Sequence, residues 1–171
     1  MHEKYWSTIH YHDFDWKKVA STYWKRYPNP NSSHVFSEDL IEAEMDQNGV
    51  LRTKRLIMKT NKLPSWGEHL FSTRKVFLIE EAVIQPEKMT IYTRNLNLRL
   101  FMGTTEKMTL TPETDAKTKV LKEVWIESEI YGLRSAIKSF GIDRFKKNCL
   151  KATEGFDWVL RKAFNKDSGC D

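Results

Sequence analysis

The stretch Thr118-Lys119-Val120-Leu121-Lys122-Glu123-Val124-Trp125-Ile126-Glu127-Ser128-Glu129-Ile130-Tyr131-Gly132-Leu133-Arg134-Ser135-Ala136-Ile137-Lys138-Ser139-Phe140 changes its hydrophobic period in the middle. Up to Ile130 the pattern alternates. Val120, Lys122, Val124, Ile126, Ser128 and Ile130 share one face, and Leu121, Glu123, Trp125 and Glu127 share the other, which is the signature of a strand. Beyond Gly132, Leu133, Ala136, Ile137 and Phe140 recur at helical spacing. Phe145, Cys149, Ala152, Phe156, Val159, Leu160 and Ala163 carry the stripe onward. The reading is one long helix over about 132–164, with Gly141 as a possible bend and a length of about 45–50 Å.

Upstream, the alternation extends backwards. Strands are expected at 34–46 and 50–60, joined through Asp46-Gln47-Asn48-Gly49, where Asn-Gly is a tight-turn signal. Further strands are expected at 74–85, 88–98 and 100–111, with Gln85-Pro86-Glu87-Lys88 as a turn. Residues 5–12 alternate as well. Residues 14–27 read as a helix with Asp13 as N-cap, Asp15 in the positive first turn, and a stripe of Trp16, Val19, Ala20, Tyr23 and Trp24. The fold class is therefore α+β: a curved antiparallel sheet of about seven strands wrapped around a long C-terminal helix. Residues 1–165 form one domain, and 166–171 a polar tail.

The chain has 171 residues with 40% hydrophobic and 30% charged side chains, as expected of a globular domain. Its 28 Lys and Arg against 23 Asp and Glu give a net charge of +5, which favours an anionic partner. No apolar run reaches the roughly 18 residues of a membrane span, and residues 1–6 carry no apolar signal core. Cys149 and Cys170 do not form a disulfide framework. His10 and His12 share a strand face without an evident third metal ligand, so no metal is expected. No Walker loop, Gly-x-Ser-x-Gly or Cys/His cluster is present, and Glu80 and Glu81 point to opposite faces. No enzyme, cofactor or nucleic-acid-binding role is read from the chain.

Basic residues stand at structural corners. Lys25-Arg26-Tyr27-Pro28-Asn29-Pro30 ends the first helix, because Pro28 cannot continue it and disfavours helical geometry at Tyr27. Arg26 there either is a solvated side chain at a helix stop or grips a phosphate with its fork of donors. Lys59 and Lys62 flank the end of a strand. Arg144, Lys147 and Lys151 share one helix face, as a solvated edge or as a row beside the apolar stripe that suits a phosphate with greasy tails. Leu63, Pro64, Trp66, Leu70 and Phe71 form a punctuated apolar segment: either a lid that dips into a membrane interface or a loop with a buried Trp.

Four pieces together resemble the PRELI-like family of mitochondrial intermembrane-space lipid transfer proteins: Tyr-Trp-Lys-Arg-Tyr-Pro-Asn-Pro (23–30), His34-Val35, Lys-Thr-Asn-Lys-Leu-Pro-Ser-Trp (59–66) and Phe-Gly-Ile-Asp-Arg-Phe-Lys (140–146). The resemblance spans about Trp6 to Leu160. It implies a fold akin to StART and phosphatidylinositol transfer domains, with a lid loop over a lipid cavity. It implies a carrier of phosphatidic acid between the outer and inner mitochondrial membranes that supports cardiolipin synthesis. Alternatives on the same fold are a lipid-binding membrane adaptor or a phosphatidylserine carrier. A small helical partner with twin Cys-x-nine-Cys motifs, forming a heterodimer, and contact with anionic mitochondrial membranes are also implied. Head-group positions of the family match Arg26, His34, Lys59, Lys62 and Lys151, with Arg144 where the family has a lysine; Lys147 completes the candidate set. This assignment predicts that Arg26→Glu abolishes lipid extraction, measured between liposomes, with the fold intact.

Overall fold

The computed structural model describes residues 3–60 and 75–164. Seven strands form one sheet: β1 (Lys4–His12), β2 (Val35–Met45), β3 (Leu51–Thr60), β4 (Lys75–Gln85), β5 (Lys88–Asn95), β6 (Gly103–Thr114) and β7 (Lys117–Glu127). Their order is β1-β7-β6-β5-β4-β3-β2, and every neighbouring pair is antiparallel. Strands β2 to β7 are a meander of sequential neighbours, and β1 joins at the far edge beside β7. The β2–β3 turn uses Gly49 at φ +75°, while Asp46 Oδ1 accepts from the Asn48 and Val50 amides at 2.8 and 3.1 Å.

Cross-strand register explains which side is the core, since directly opposed residues share a face. Val120 lies opposite His10 and Leu110, Lys122 opposite Thr8 and Met108, and Val124 opposite Trp6 and Glu106. The inward set is mostly apolar but contains Lys122, Glu106 and, on β4, Glu80. Among the described residues, three helices cover this face: α1 (Trp16–Thr22), which runs into a 3₁₀ turn at Tyr23–Lys25, the short α2 (Arg99–Met102), and α3 (Arg134–Phe164). At 31 residues, α3 is about 46 Å long. It packs chiefly on β7, β1, α1 and α2, so its main contacts fall at one side of the sheet.

The core has two apolar clusters. One joins Trp16 and Val19 of α1 and Tyr23 of the 3₁₀ turn to Phe156 and Leu160 of α3 over Ala82, Ile91, Leu110 and Val120. The other joins Phe101 and Met102 of α2 to Ile137, Ile142, Phe145 and Cys149 of α3 over Val124 and Ile126. Space between them, beneath α3, is where the hollow described below lies.

Several local expectations are corrected. The N-cap of α1 is Asp15, not Asp13: Asp15 Oδ1 accepts from the Lys18 amide at 3.1 Å. The α-helix stops at Thr22 and tightens to a 3₁₀ turn before the Tyr27–Pro28 peptide, which is cis. The strand expected at 88–98 ends at Asn95, and the one expected at 100–111 runs from Gly103 to Thr114, because α2 lies between them. Buried Asn95 donates to the Met102 carbonyl at 2.7 Å and accepts from the Thr104 amide at 3.0 Å, which clamps that detour shut. Gly141 does not interrupt α3. A Cβ there would stand 2.7 Å from Ile126 and 2.9 Å from Met102 Sδ, so the glycine permits close helix–sheet approach.

Gly155 plays the same part at the other end of α3, where an added Cβ would lie 2.4 Å from Asn29 Oδ1. Asn29 cannot swing away freely, because it donates to the Arg26 carbonyl at 2.7 Å and accepts from the Asn31 amide at 3.0 Å. Gly155→Ala gains up to about 1 kcal/mol of helix propensity but displaces this bonded side chain. We expect a net loss of roughly 1–3 kcal/mol, read as a lower midpoint in chemical denaturation.

Candidate functional site

A hollow of about 180 Å³ lies between the inner sheet face and α3, and a second of about 60 Å³ adjoins it. The larger is walled by Ile57, Leu78, Ile91, Met108 and Leu110 from the sheet and by Phe145, Cys149, Ala152 and Phe156 from α3. The smaller is walled by Val76, Leu98, Met102 and Ile126. Lys59, Leu78, Thr93, Glu106, Phe145 and Asn148 line both, so the two hollows meet at these residues. The chamber is apolar with a few convergent charged groups, the usual make-up of a ligand site.

Arg26 is 7% exposed and borders this chamber, but its charge is already partnered. Its guanidinium makes ion pairs of 2.9 Å to Glu38 Oε1 and 2.8 Å to Glu80 Oε2, and donates to the Tyr23 carbonyl at 3.2 Å. It lies over the Tyr23 ring at 4.1 Å and the Tyr27 ring at 4.7 Å. Tyr23 donates to Glu80 Oε2 at 3.0 Å, and Arg55 binds Glu38 at 3.2 Å while stacking on Trp24 at 4.0 Å. Burial works against the Arg26 charge, yet Tyr23, Glu80, Tyr27 and Glu38 outweigh it and hold the group firmly protonated. Two arginines and two glutamates make this knot electrically neutral. The rigid corner in the sequence therefore anchors α1 to β2 and β4, and the solvated reading of Arg26 is set aside. Arg26→Glu would bring a third carboxylate onto Glu38 and Glu80, so the expectation of an intact fold for that variant is also corrected.

The other candidate head-group residues converge elsewhere. His34, Lys59 and Lys151 line the larger hollow, and Arg144 lines the smaller one. Burial first, then Lys59, Arg144 and Lys151, push the His34 pKa below its ordinary value. Lys59 is lowered by burial and by Arg144, against the pull of Glu106. Burial also lowers Arg144. Lys151 stands exposed at the rim, and Lys147 is exposed on α3 and lines neither hollow. Lys62, Leu63, Pro64, Trp66, Leu70 and Phe71 lie outside the described residues.

Sequence reading did not single out Glu106, Lys122, Glu80 or the histidine chain as site residues. Lys122 is hydrogen-bonded to Thr153 Oγ1 at 3.3 Å, and its pKa is lowered by burial against the pull of Cys149 and Glu106. Its signal was present: a lysine on a face otherwise filled by Val120, Val124 and Ile126. Buried His12 binds Asp157 at 2.6 Å and stacks edge-on against His10, tying β1 to α3. Burial, Lys122 and His12 lower the His10 pKa to about 3, so it is neutral. Glu80 Oε1 is buried without a hydrogen-bond partner among the described residues. No group of three or more His, Cys, Asp or Glu suited to a metal occurs among the described residues.

Residues 17–167 match the PRELI-like family. PRELI domain-containing protein 1, mitochondrial, of Gallus gallus is 36% identical over 154 residues, spanning 86% of this chain and 72% of its own length. Protein UPS1, mitochondrial, of Saccharomyces cerevisiae is 33% identical over 163 residues, spanning 91% of each chain. A START superfamily protein from Mycobacterium smegmatis superposes with a TM-score of 0.55 at 12% identity, over 93% of this chain and 99% of that one, a likeness of fold alone. The sheet-around-helix architecture is thus START-like. No described helix is long and apolar enough to cross a membrane.

Removing one partner from the Arg26 knot leaves buried carboxylates without their counter-charge. Arg26→Ala is expected to cost about 3–5 kcal/mol, a fall in melting temperature of roughly 6–20 °C by circular dichroism. A melting temperature within 2 °C of wild type, on the order of a surface substitution, would contradict the anchoring role.

Proposed function

The chain belongs to the PRELI-like family, and from that premise we propose that it is a phospholipid carrier that moves phosphatidic acid between the outer and inner mitochondrial membranes and so supplies cardiolipin synthesis. One observation carries the reading: an apolar chamber under α3 into which Lys59, Arg144 and Lys151 bring positive charge, with His34 beside them as a neutral hydrogen-bonding group. Such a pairing of apolar wall and cationic corner suits a phosphate joined to acyl chains. The names of its relatives place them in mitochondria. The reading puts this chain in the intermembrane space, peripheral to anionic membranes and paired with a small helical twin Cys-x-nine-Cys protein.

The physical task is desolvation. Two acyl chains expose on the order of 30 methylenes at about 0.8 kcal/mol each, so bare desorption meets a barrier of roughly 24 kcal/mol. A carrier lowers it by offering apolar walls before the chains reach water, and no covalent step is needed. About 180 Å³ is less than the roughly 300–1,000 Å³ of pockets that enclose a drug-sized ligand. The described chamber therefore suits the head group and its glycerol, and seating the chains requires more room. Because α3 packs mainly on β1 and β7, that room can open on the β3–β5 side.

In this mechanism Lys59 and Arg144 meet the phosphate inside, where burial strengthens each interaction. Lys151 and His34 meet it first at the rim. Arg26 holds Tyr23 and the Asn29 corner against α3 and keeps the chamber's end wall in place, rather than supplying an unpaired charge. Lys147, exposed on the outer side of the same helix, is suited to an anionic leaflet, where a nearby cation contributes about 1 kcal/mol.

Mass spectrometry of lipid co-purifying with the protein tests the ligand class directly, and phosphatidic acid is the expected species. Lys151 is exposed, so Lys151→Glu should leave the melting temperature unchanged while slowing phosphatidic acid transfer between liposomes by about tenfold or more, equivalent to at least 1.4 kcal/mol. Unchanged transfer by that variant removes Lys151 from the head-group set.

A further inference from the structure

One residue on the chamber wall carries the wrong charge for the proposed ligand. Glu106 projects from the inward face of β6. It shares a cross-sheet row with Glu80 and Thr93, because Thr93 pairs with Glu80 across β4–β5 and with Glu106 across β5–β6. It lines both hollows and so stands where they join. The titratable groups that face it come from every side: Lys59 on β3, Glu80 on β4, Lys122 on β7, and Arg144 and Cys149 on α3. Burial foremost raises the Glu106 pKa above the ordinary carboxylate value, helped by Glu80; Lys59 and Lys122 act against it.

Whenever Glu106 is ionised, Lys59 and Lys122 are the charges in the chamber that favour that state against burial. An arriving phosphate competes for the same two cations and sets a second negative charge beside the first. Like charges in a desolvated site repel strongly, and a proton on one of them removes the repulsion. A carboxylic acid also has what a carboxylate lacks, an O–H donor to offer a phosphate oxygen.

We propose that Glu106 is a specificity-determining residue of this chamber: it takes up one proton when a phosphate enters among Lys59, Lys122 and Arg144, and as the neutral acid it donates a hydrogen bond to a phosphate oxygen. The inference rests on the carrier reading and deepens it. The proton comes from solvent and binds a carboxylate lone pair, and no bond between heavier atoms is made or broken. Lys59 and Lys122 pass from Glu106 to the phosphate. A neutral acid offers no counter-charge to choline or ammonium, so a bare phosphate is favoured over a head group that carries a cation. The loaded state holds one more proton than the empty one. Affinity therefore falls as pH rises, by about tenfold per pH unit between the ranges in which Glu106 titrates empty and loaded.

Glu106→Gln provides the test, because the amide is permanently neutral and still donates. Binding of water-soluble dihexanoyl phosphatidic acid is measured by calorimetry from acid to alkaline pH for both proteins. Taking the ratio of their dissociation constants cancels the titration of the ligand itself. The expected ratio is near one at acid pH and grows in favour of Glu106→Gln as pH rises, by about tenfold per unit. A misfolded variant cannot imitate tighter binding. In wild type the infrared band of a protonated carboxyl should appear on ligand addition, and it should be missing in Glu106→Gln. A ratio independent of pH, or no such band, overturns the role of Glu106 while leaving the carrier reading in place. Failure of wild type to bind the probe at any pH overturns the carrier reading and this inference with it.

Discussion

The pairing of buried Arg26 with Glu38 and Glu80 is the constraint around which this molecule is arranged. Each of these groups is costly to bury alone, and together they are tolerable only at the observed geometry. Arg26 reaches that geometry because the helix before it tightens into a 3₁₀ turn and the prolines after it fix the chain's exit. Glu38 and Glu80 come from strands separated in the sheet by β3, whose Arg55 also binds Glu38. One knot thus fastens a loop corner to three strands. The Asn29 corner that follows rests on α3 at Gly155. At that end the polar contact at Gly155 acts together with the apolar packing of Phe156 and Leu160 on the sheet and α1.

Packing at the two ends of α3 leaves a gap between them. Apolar clusters grip both ends of α3, whereas its middle faces Lys59, Glu106, Lys122 and the paired histidines. These groups cannot pack as densely as leucine and valine without losing solvation. A hollow at that place is the expected consequence. The same groups that prevent a solid core supply the charges that suit an anionic ligand, so the hollow and its chemistry share one cause. His12–Asp157 closes the β1 side in the same manner, with a buried polar pair joining strand to helix.

Much of the architecture was legible along the chain. Period-two alternation between Val35 and Glu127, the Asn48-Gly49 turn and the shift to helical period after Gly132 are local signals, each readable from a few neighbours. The meander of β2 to β7 and the long final helix followed from them. Boundaries were less legible where a distant side chain intervenes. Asn95 bonds across the Leu98–Met102 turn and starts β6 late, and nothing in the local pattern announces that clamp. Gly141 and Gly155 look alike in sequence as interruptions of a helix. Only the opposing surfaces, Ile126 and Met102 for one and Asn29 for the other, show both to be contact points.

By itself the sequence determined the main elements, their order, the basic surplus and the rigid corner at Arg26. Those properties depend on residue type and spacing along the chain, which folding does not alter. The tertiary structure alone decided which charges come together. Arg26 and Arg55 are neutralised by Glu38 and Glu80, while Lys59, Lys122 and Arg144 share the chamber with Glu106. Electrostatic partnership depends on distances through space, as between Arg26 and Glu80, which lie 54 positions apart along the chain, and no period in a linear pattern encodes them.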